Sequence, residues 1–324
     1  MKLQPDVALP VQFAGPIRSQ PDVAPAVSVL MDVTDGERYL EAALASLSGQ
    51  TFADFEIVLC AHGVTPATRA IIEQWSEREP RLRVLWHEHL SLSRAHNTSA
   101  QAARGSLLAR LDADDIALPH RLARQVAMFE QDSRLGLAGS AAELVDADGR
   151  SLGLARNPLS DGSIRVALSR CCPIIHSTVM MRTETFWRAG GYRNGLNTSE
   201  DYDLCARMIE LSSAANSAEA LVRYRVHAES ITSKRPLRIV ISSCVVRAGI
   251  IARARGEAEP FAGGVPSLRR AQAVLGLDRP QLAMTLSHRA WQARLSRNVM
   301  ICPAHSRQAR GFAAWLDPRA CGRS

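Results

Sequence analysis

Hydrophobic and polar positions change their spacing repeatedly over residues 26–149, and the changes predict strands that alternate with helices. Apolar runs with β-branched residues predict strands at residues 26–33, 55–60, 82–86, 107–111 and 135–145. Apolar residues at helical spacing between these runs predict helices at residues 36–50, 66–78, 93–104 and 119–129. This alternation predicts an α/β domain in which helices cover both faces of a mostly parallel sheet.

Beyond residue 149 the alternation is looser, and each element is predicted separately. The pattern predicts a helix at residues 163–169, a strand at 174–181, a helix at 200–211 and a short strand at 222–226. The rest is predicted to be mainly helical, with candidate helices at residues 237–254, 268–274 and 281–299. We therefore expect the α/β domain to carry a helical C-terminal appendage.

Charge is distributed unevenly along the chain and places a boundary near residue 230. The formal net charge is +7, yet residues 231–324 alone contain 16 Lys and Arg against 4 Asp and Glu. The first 25 residues hold four prolines before position 24 and have no periodic pattern. We therefore predict a flexible leader over residues 1–25, a folded domain over 26–230 and a basic, mainly helical region over 231–324.

The basic region leaves three interpretations open. Its arginines and the aromatic residues Trp291, Phe312 and Trp315 would suit the anionic inner face of a membrane. The same region would also serve as a helical cap packed on the α/β domain, with its arginines in solvent. Nucleic-acid binding is the least favoured, because the aromatic residues are sparse and no nucleic-acid motif is present.

The composition predicts a cytoplasmic protein. A hydrophobic content of 46% and a charged content of 22% are ordinary for a water-soluble domain. We expect neither a signal peptide nor a membrane span, since no apolar run approaches the roughly 18 residues that a span requires. The seven cysteines have no zinc-site or disulfide spacing, so we expect reduced thiols.

Three carboxylates directly follow the predicted strand at residues 107–111. Asp112, Asp114 and Asp115 lie within four positions, and their mutual repulsion is costly unless a cation lies among them. Mn²⁺ or Mg²⁺ would suit the cluster, because these ions take one or two carboxylates together with water and phosphate oxygens. The alternative is a solvated acidic turn in which Asp115 caps the next helix.

Three further groups carry candidate chemistry. Glu200 and Asp201 begin a predicted helix, where they either complement the helix dipole or supply a general base. His176 interrupts an apolar run, so it is either a core histidine or lies at the edge of a site. His227 follows the last predicted strand, where it is either a surface residue or a third ligand for the cation.

The order and spacing of these groups resemble the family 2 glycosyltransferases of GT-A fold, in particular the bacterial enzymes that build surface polysaccharides. The resemblance covers about residues 26–232. The segments that carry it are Val27-Ser28-Val29, Gly36-Glu37-Arg38-Tyr39-Leu40, Gln50-Thr51-Phe52, Phe55-Glu56-Ile57-Val58, Ala103-Arg104-Gly105, Ala109-Arg110-Leu111-Asp112-Ala113-Asp114-Asp115, Pro173-Ile174-Ile175-His176-Ser177-Thr178-Val179-Met180, Gly190-Gly191-Tyr192, Glu200-Asp201-Tyr202-Asp203-Leu204 and Tyr224-Arg225-Val226-His227.

The resemblance implies an inverting, metal-dependent transfer of a sugar from a nucleotide-sugar to a hydroxyl of a glycan or lipid-linked glycan. It implies that Asp112 and Asp114 hold the donor ribose and a divalent ion, and that His227 reaches the ion or the diphosphate. Asp201 would deprotonate the acceptor hydroxyl. The ion, Mn²⁺ or Mg²⁺, would neutralise the charge that grows on the leaving nucleoside diphosphate.

Several positions depart from the family pattern, all in the half of the pocket that takes the nucleotide base. Ala61-His62-Gly63-Val64 replaces the usual Asp-Asp-Gly-Ser, Asp32-Val33-Thr34-Asp35 replaces Pro-Val-Tyr-Asn, and His96 stands where Arg is common. We expect the donor-binding residues to be Asp112, Asp32, Asp35, His96, His176 and Glu200. The lost acidic pair also allows an alternative, a catalytically degenerate partner in a polysaccharide-assembly complex, against which the retained Asp112, Asp114 and Asp201 argue.

Overall fold

A computed structural model describes residues 23–262 and 265–276 of the chain. The predicted leader up to residue 22 and the candidate helix at 281–299 lie outside the described residues. So do the three aromatic residues singled out in the basic region, Trp291, Phe312 and Trp315.

The described residues form strands and helices in close alternation. The strands are β1 (Val27–Val33), β2 (Phe55–His62), β3 (Leu82–His87), β4 (Leu107–Arg110), β5 (Ile116–Ala117), β6 (Leu135–Val145), β7 (Ser151–Ala155), β8 (Met180–Arg182), β9 (Ser213–Arg225), β10 (Phe261–Ala262) and β11 (Val265–Pro266). The helices are α1 (Leu40–Ser48), α2 (Pro66–Arg78), α3 (Leu92–Ala102), α4 (Arg121–Gln131), α5 (Asp161–Leu168), α6 (Thr183–Arg188), α7 (Glu200–Leu211), α8 (Ile231–Lys234), α9 (Pro236–Arg255) and α10 (Leu268–Leu275).

The main sheet has the strand order β3-β2-β1-β4-β8-β6-β9-β5, with β7 paired to β6. Its first four strands are parallel, whereas β8 runs antiparallel to both β4 and β6. Strands β1 and β2 are buried almost throughout because side chains from both faces pack into core clusters. The carboxyl ends of β1, β2 and β4 lie side by side, at the edge where open α/β sheets bind ligands.

The predicted elements of the first half are found within a few residues of their expected bounds. Two later predictions were wrong. The segment predicted as a strand at residues 174–181 forms a 3₁₀ turn at His176–Thr178 followed by the short strand β8. The short strand predicted at residues 222–226 is the end of the longer strand β9, of thirteen residues, because small residues that begin β9, such as Ala214 and Ala215, pair with β6 but carry little apolar signal.

The described part of the basic region packs against the α/β domain. Helix α9 contacts α7, and Arg253 of α9 lies 2.8 Å from a carboxylate oxygen of Glu210 at the end of α7. Arg193 pairs with Glu259 beyond α9, at 2.7 Å. Among the described residues, no helix combines the length and the apolar character that a membrane span requires.

The cysteines of the described chain depart from expectation at one position. Cys60, Cys172 and Cys205 are free thiols. Cys171 is disulfide-bonded, so the expectation of reduced thiols was wrong for that residue.

Candidate active site

The first part of the site is the aspartate cluster, Asp112, Asp114 and Asp115, in the turn that follows β4. Each residue presents a carboxylate oxygen, and these oxygens lie within 4.8 Å of one another. The turn is closed by a hydrogen bond from the Asp115 amide to the Asp112 carbonyl, at 3.2 Å. Ser177 Oγ accepts a further hydrogen bond from the Asp112 amide at 3.2 Å, so the 3₁₀ turn helps to hold the cluster.

Strand β9 brings the fourth group, His227, to the aspartate cluster from 113 positions along the chain. The Nε2 atom of His227 lies 2.8 Å from Oδ2 of Asp114. Asp115 is buried and accepts a hydrogen bond from the Arg225 amide at 2.7 Å. It does not cap the next helix, whose N-terminal capping position is His120, so that alternative was wrong.

The aspartate cluster suits a divalent cation. Burial raises the pKa of Asp115 well above its usual value, and the charges of Asp114 and Asp112 add to the effect. The other carboxylate oxygen of Asp115, Oδ2, is buried without a hydrogen-bond partner among the described residues. Mn²⁺ binds both carboxylate oxygens and an imidazole nitrogen, and Mg²⁺ binds carboxylate oxygens.

The second part of the site is the acidic pair, Glu200 and Asp201, at the start of α7. The preceding residue, Ser199, has a φ of 58°, a left-handed conformation that is uncommon for a residue with a side chain. Its hydroxyl lies 3.0 Å from that of Ser243 on α9, which helps to hold it. Backbone strain of this kind persists where the surrounding structure fixes it, and it sets the direction of the acidic pair.

Asp201 has the electrostatic character of a base that works near neutral pH. Burial raises its pKa to about 6, and the neighbouring charge of Glu200 contributes to the rise. The charge of Asp112 also raises the pKa of Asp201, so the acidic pair and the aspartate cluster share one electrostatic environment.

His176 lies between the two parts of the site. Its Nδ1 atom is 3.9 Å from Oδ1 of Asp112, and its Nε2 atom is 2.8 Å from the hydroxyl of Tyr192. Burial lowers the pKa of His176 to about 4, so its ring is neutral at physiological pH. The sequence allowed either a core histidine or a residue at the edge of a site. The structure has both features, because the His176 ring is mostly buried and also borders the site.

Tyr192 and Asn97 hold His176 in place, and sequence reasoning gave neither residue a role. The side-chain amide of Asn97 donates to the Tyr192 carbonyl at 2.7 Å and accepts from the Tyr192 amide at 2.9 Å. The preceding Gly191 has a φ of +63°, and a Cβ there would lie 2.9 Å from Oδ1 of Asn97. The glycines before Tyr192 were the available signal, because they indicate a backbone that another group approaches closely.

Asp32, at the end of β1, is paired with two buried cations. Its Oδ1 atom lies 2.5 Å from a guanidinium nitrogen of Arg110 and 2.7 Å from Nδ1 of His96. Burial would raise the pKa of Asp32, but the charges of Arg110 and His96 outweigh burial and hold it well below its usual range. Sequence reasoning missed Arg110, although an arginine inside the apolar run of β4 was a signal that a carboxylate faces it.

The remaining predicted residues lie around the end of β2. His62 is buried, and its Nδ1 atom accepts a hydrogen bond from the Leu90 amide at 3.4 Å. Asp35 is exposed beyond the end of β1 and takes no part in the ion pairs recorded for residues 23–262 and 265–276. His96 is only 2% exposed, so its side chain lies behind Asp32 rather than on the open surface of the site.

Comparisons with known proteins agree on one family. A family model described as "Glycosyl transferase family 2" matches residues 28–153. The chain is 31% identical over 212 residues to the amylovoran biosynthesis glycosyltransferase AmsE of Erwinia amylovora, a match that covers 64% of this chain and 79% of the relative. It is 29% identical over 208 residues to the O-antigen biosynthesis glycosyltransferase WbnJ of Escherichia coli, covering 63% of this chain and 81% of the relative.

Solved structures share the fold at lower sequence identity. Residues 1–349 of S. aureus TarS in complex with UDP-GlcNAc align with a TM-score of 0.57 and 18% identity, over 70% of this chain and 66% of that one. The mannosyltransferase PcManGT of Pyrobaculum calidifontis, in complex with GDP-Man and Mn²⁺, aligns with a TM-score of 0.55 and 17% identity. That alignment covers 93% of this chain and 83% of the mannosyltransferase.

Proposed function

The chain belongs to glycosyl transferase family 2 and has the predicted GT-A fold, and on this premise we propose that it is an inverting, metal-dependent glycosyltransferase of surface-polysaccharide synthesis. It would move a sugar from a nucleotide-sugar to a hydroxyl of a glycan or lipid-linked glycan. The observation that carries the proposal is the placement of the aspartate cluster and the acidic pair around His176, because glycosyl transfer needs one group for the leaving diphosphate and another for the attacking hydroxyl.

The aspartate cluster would serve the leaving group. Asp112, Asp114 and His227 would hold Mn²⁺ or Mg²⁺, which when bound neutralises the charge that develops on the nucleoside diphosphate. Arg110 lies 2.7 Å from Oδ1 of Asp112 and fixes that carboxylate. The positive charge of the Arg110 guanidinium also offsets part of the repulsion among the carboxylates when no diphosphate is present.

The acidic pair would serve the attacking hydroxyl. Asp201 accepts the proton of the acceptor hydroxyl as its oxygen attacks the anomeric carbon from the face opposite the leaving diphosphate. A single displacement of this kind inverts the anomeric configuration. A base with a pKa near 6 is ionised at neutral pH and is a stronger proton acceptor than an ordinary carboxylate, which suits this role.

The donor and acceptor classes are proposed from the named relatives together with this chain's own pocket. The solved relatives are complexes with UDP-GlcNAc or with GDP-Man and Mn²⁺. Asp32 is engaged by Arg110 and His96, so we do not expect it to replace the acidic pair that Ala61 and His62 have displaced. We propose a hydroxyl of a surface glycan as acceptor because the curated relatives are named for O-antigen and amylovoran biosynthesis.

Two further proposals concern the extent of the catalytic domain and the contact of the basic region with a membrane. We propose that residues 26–230 form the catalytic domain and that the basic region approaches the inner face of the membrane, where a lipid-linked acceptor would lie. Helix α9 of the basic region contacts α7, and the hydroxyl of Ser243 on α9 lies 3.0 Å from that of Ser199, the residue before the acidic pair. These contacts support the proposal that the basic region also holds the acidic pair in place.

Substitution of the two parts of the site tests the proposed function. Release of nucleoside diphosphate is measured with UDP-GlcNAc, GDP-Man and related donors in the presence of Mn²⁺ and a glycan acceptor. Asp201→Asn and Asp114→Asn are each expected to lower turnover by about 10²-fold or more, the usual contribution of a general base or of charge stabilisation at the leaving group. Both proteins should keep the unfolding midpoint of the parent within a few degrees.

Asp54→Asn is the matched control, because Asp54 is exposed at the amino end of β2, away from the site. It should transfer sugar at the parental rate. Full activity in Asp201→Asn would contradict the proposed function. Tight binding of a nucleoside diphosphate without turnover of any donor would instead favour the degenerate partner, the alternative that Ala61 and His62 suggest.

A further inference from the structure

Five charged side chains of alternating sign run beneath the site, and we name them the charge chain. Asp112 meets Arg110 at 2.7 Å, and Arg110 meets Asp32 at 2.5 Å. Asp32 meets Nδ1 of His96 at 2.7 Å, and Nε2 of His96 lies 3.9 Å from Oε1 of Glu200. The charge chain therefore begins at the aspartate cluster and ends at the acidic pair, and it draws on β4, β1, α3 and α7.

The charge chain contains two cations, Arg110 and His96. Of these, His96 lies next to the acidic pair and is the one that can lose its proton. The residue is only 2% exposed. Burial disfavours the charged ring, but the charge of Asp32 outweighs burial and raises the pKa of His96 to about 9. The titratable and charged groups that face it from the surrounding elements are Asp32, His62, Arg110, His176, Tyr192 and Glu200.

We propose that His96 is a positioning residue which, from its buried place between Asp32 and Glu200, couples the aspartate cluster to the acidic pair and so acts on the base Asp201. This inference rests on the proposed function, since it assigns His96 an effect on the base of that reaction.

The role follows from the surroundings of Glu200. Its carboxylate is 6% exposed, and its Oε2 atom has no hydrogen-bond partner among the described residues. The His96 ring faces this carboxylate, with its Nε2 atom 3.9 Å from Oε1 of Glu200. The charge of Glu200 raises the pKa of Asp201, and a positive charge on His96 beside Glu200 offsets part of that rise.

The test compares the neutral variant His96→Gln with the cationic variant His96→Arg in the full-length protein. The readout is the acidic limb of kcat against pH at saturating donor and constant Mn²⁺. Loss of a positive charge beside the acidic pair raises the pH at which the pair takes up its first proton. The acidic limb of His96→Gln should therefore move to higher pH by roughly one unit or more, whereas His96→Arg should keep the parental limb.

A purely structural role for His96 predicts a different result. It would lower kcat or the unfolding midpoint in both variants and leave the acidic limb in place, and that outcome would overturn the proposal. His120→Gln is the matched control, because His120 is an exposed histidine before α4, and it should leave both kcat and the limb unchanged.

A second measurement keeps the proposal testable if either variant fails to fold or if no donor is turned over. In ¹⁵N-histidine NMR spectra of the parent protein, the His96 ring should remain protonated above pH 8. A ring that titrates below pH 7 would overturn the proposal. So would a ring that behaves as a metal ligand when Zn²⁺ is added in one equivalent, a result that the 4.8 Å cluster of His96, His176 and Glu200 allows.

The two proposals fail in distinguishable ways. If Asp201→Asn kept full activity while the His96 ring stayed protonated, the proposed base would be wrong and the buried ion pairs would stand. If Asp201→Asn were inactive while the His96→Gln limb did not move, the base would stand and the coupling through His96 would be refuted.

Discussion

Two aspartates of this site, Asp32 and Asp201, have pKa values shifted in opposite directions by their surroundings. Both are buried, which by itself raises the pKa of each. Asp32 is flanked by Arg110 and His96, whose charges reverse the effect, whereas Asp201 has the like charge of Glu200 beside it. Carboxylates separated in this way take different roles, one as a permanent counter-ion and the other as a base.

The pH dependence of turnover follows from the Asp201 carboxylate. Only its ionised form accepts a proton, so turnover should be nearly full at pH 7 and above, about half at pH 6, and fall about tenfold for each further pH unit below that. The groups that act on Asp201 are Glu200, His176 and Asp112, together with the Tyr202 amide. The check is a kcat profile at saturating donor and constant Mn²⁺. A profile that stays flat down to about pH 5 would show that the base has an ordinary carboxylate pKa.

The position of strand β4 is critical for the site, because it determines where both the aspartate cluster and Arg110 lie. Gly105 begins the approach of β4 to β1, and its amide donates to the hydroxyl of Ser28 at 2.8 Å. A Cβ at Gly105 would lie 2.6 Å from the backbone nitrogen of Ser28, a contact that only a displaced backbone relieves.

Gly105→Ala should therefore destabilise the protein by about 1–3 kcal/mol, measured as the free energy of unfolding in urea. Gly162→Ala, in α5, is the matched control, since a Cβ there has no atom within 4 Å. The control is expected to be neutral or stabilising by up to about 1 kcal/mol. Equal stability of the two variants would show that β4 is not held as closely against β1 as the geometry indicates.

Elements with a regular spacing of apolar residues were predictable from the sequence. Elements that exist because they pair with a strand distant in the chain were not. The predicted bounds of strands β1 and β2 and of helix α2 agree with the structure to within two residues. Strand β7 has four exposed residues among its five and exists because it pairs with β6, so its own residues carried no buried-strand signal. The 3₁₀ turn at His176 was hidden for a similar reason, since its apolar neighbours look like a strand.

The site shows the same division between local and long-range information. The aspartate cluster and Glu200-Asp201 are contiguous in sequence, so they could be singled out without a structure. The ion pair of Asp32 with Arg110 and His96 joins three elements and could not be, because nothing in one sequence states which carboxylate faces which cation. His96 was accordingly predicted to line the donor pocket, and its burial behind Asp32 became visible only in the fold.

For the molecule as a whole, the sheet gathers residues that are far apart in the chain. Strand order places the ends of β1 and β4 side by side, and β9 returns His227 to Asp114 across 113 positions. Helix α9 then contacts α7 from the side of the basic region. The aspartate cluster and the acidic pair are thereby held on one framework, which is the arrangement that a direct displacement at an anomeric carbon requires.

The anomeric configuration of the product tests this account most directly. The donor that supports turnover in the nucleotide-sugar screen is supplied with its acceptor and Mn²⁺, and the new linkage is assigned from the one-bond ¹³C–¹H coupling at the anomeric carbon. An α-linked donor such as UDP-GlcNAc or GDP-Man should give a β-linked product, because Asp201 activates a hydroxyl on the face opposite the diphosphate. An α-linked product would contradict the account, since retention requires a different arrangement of nucleophile and leaving group.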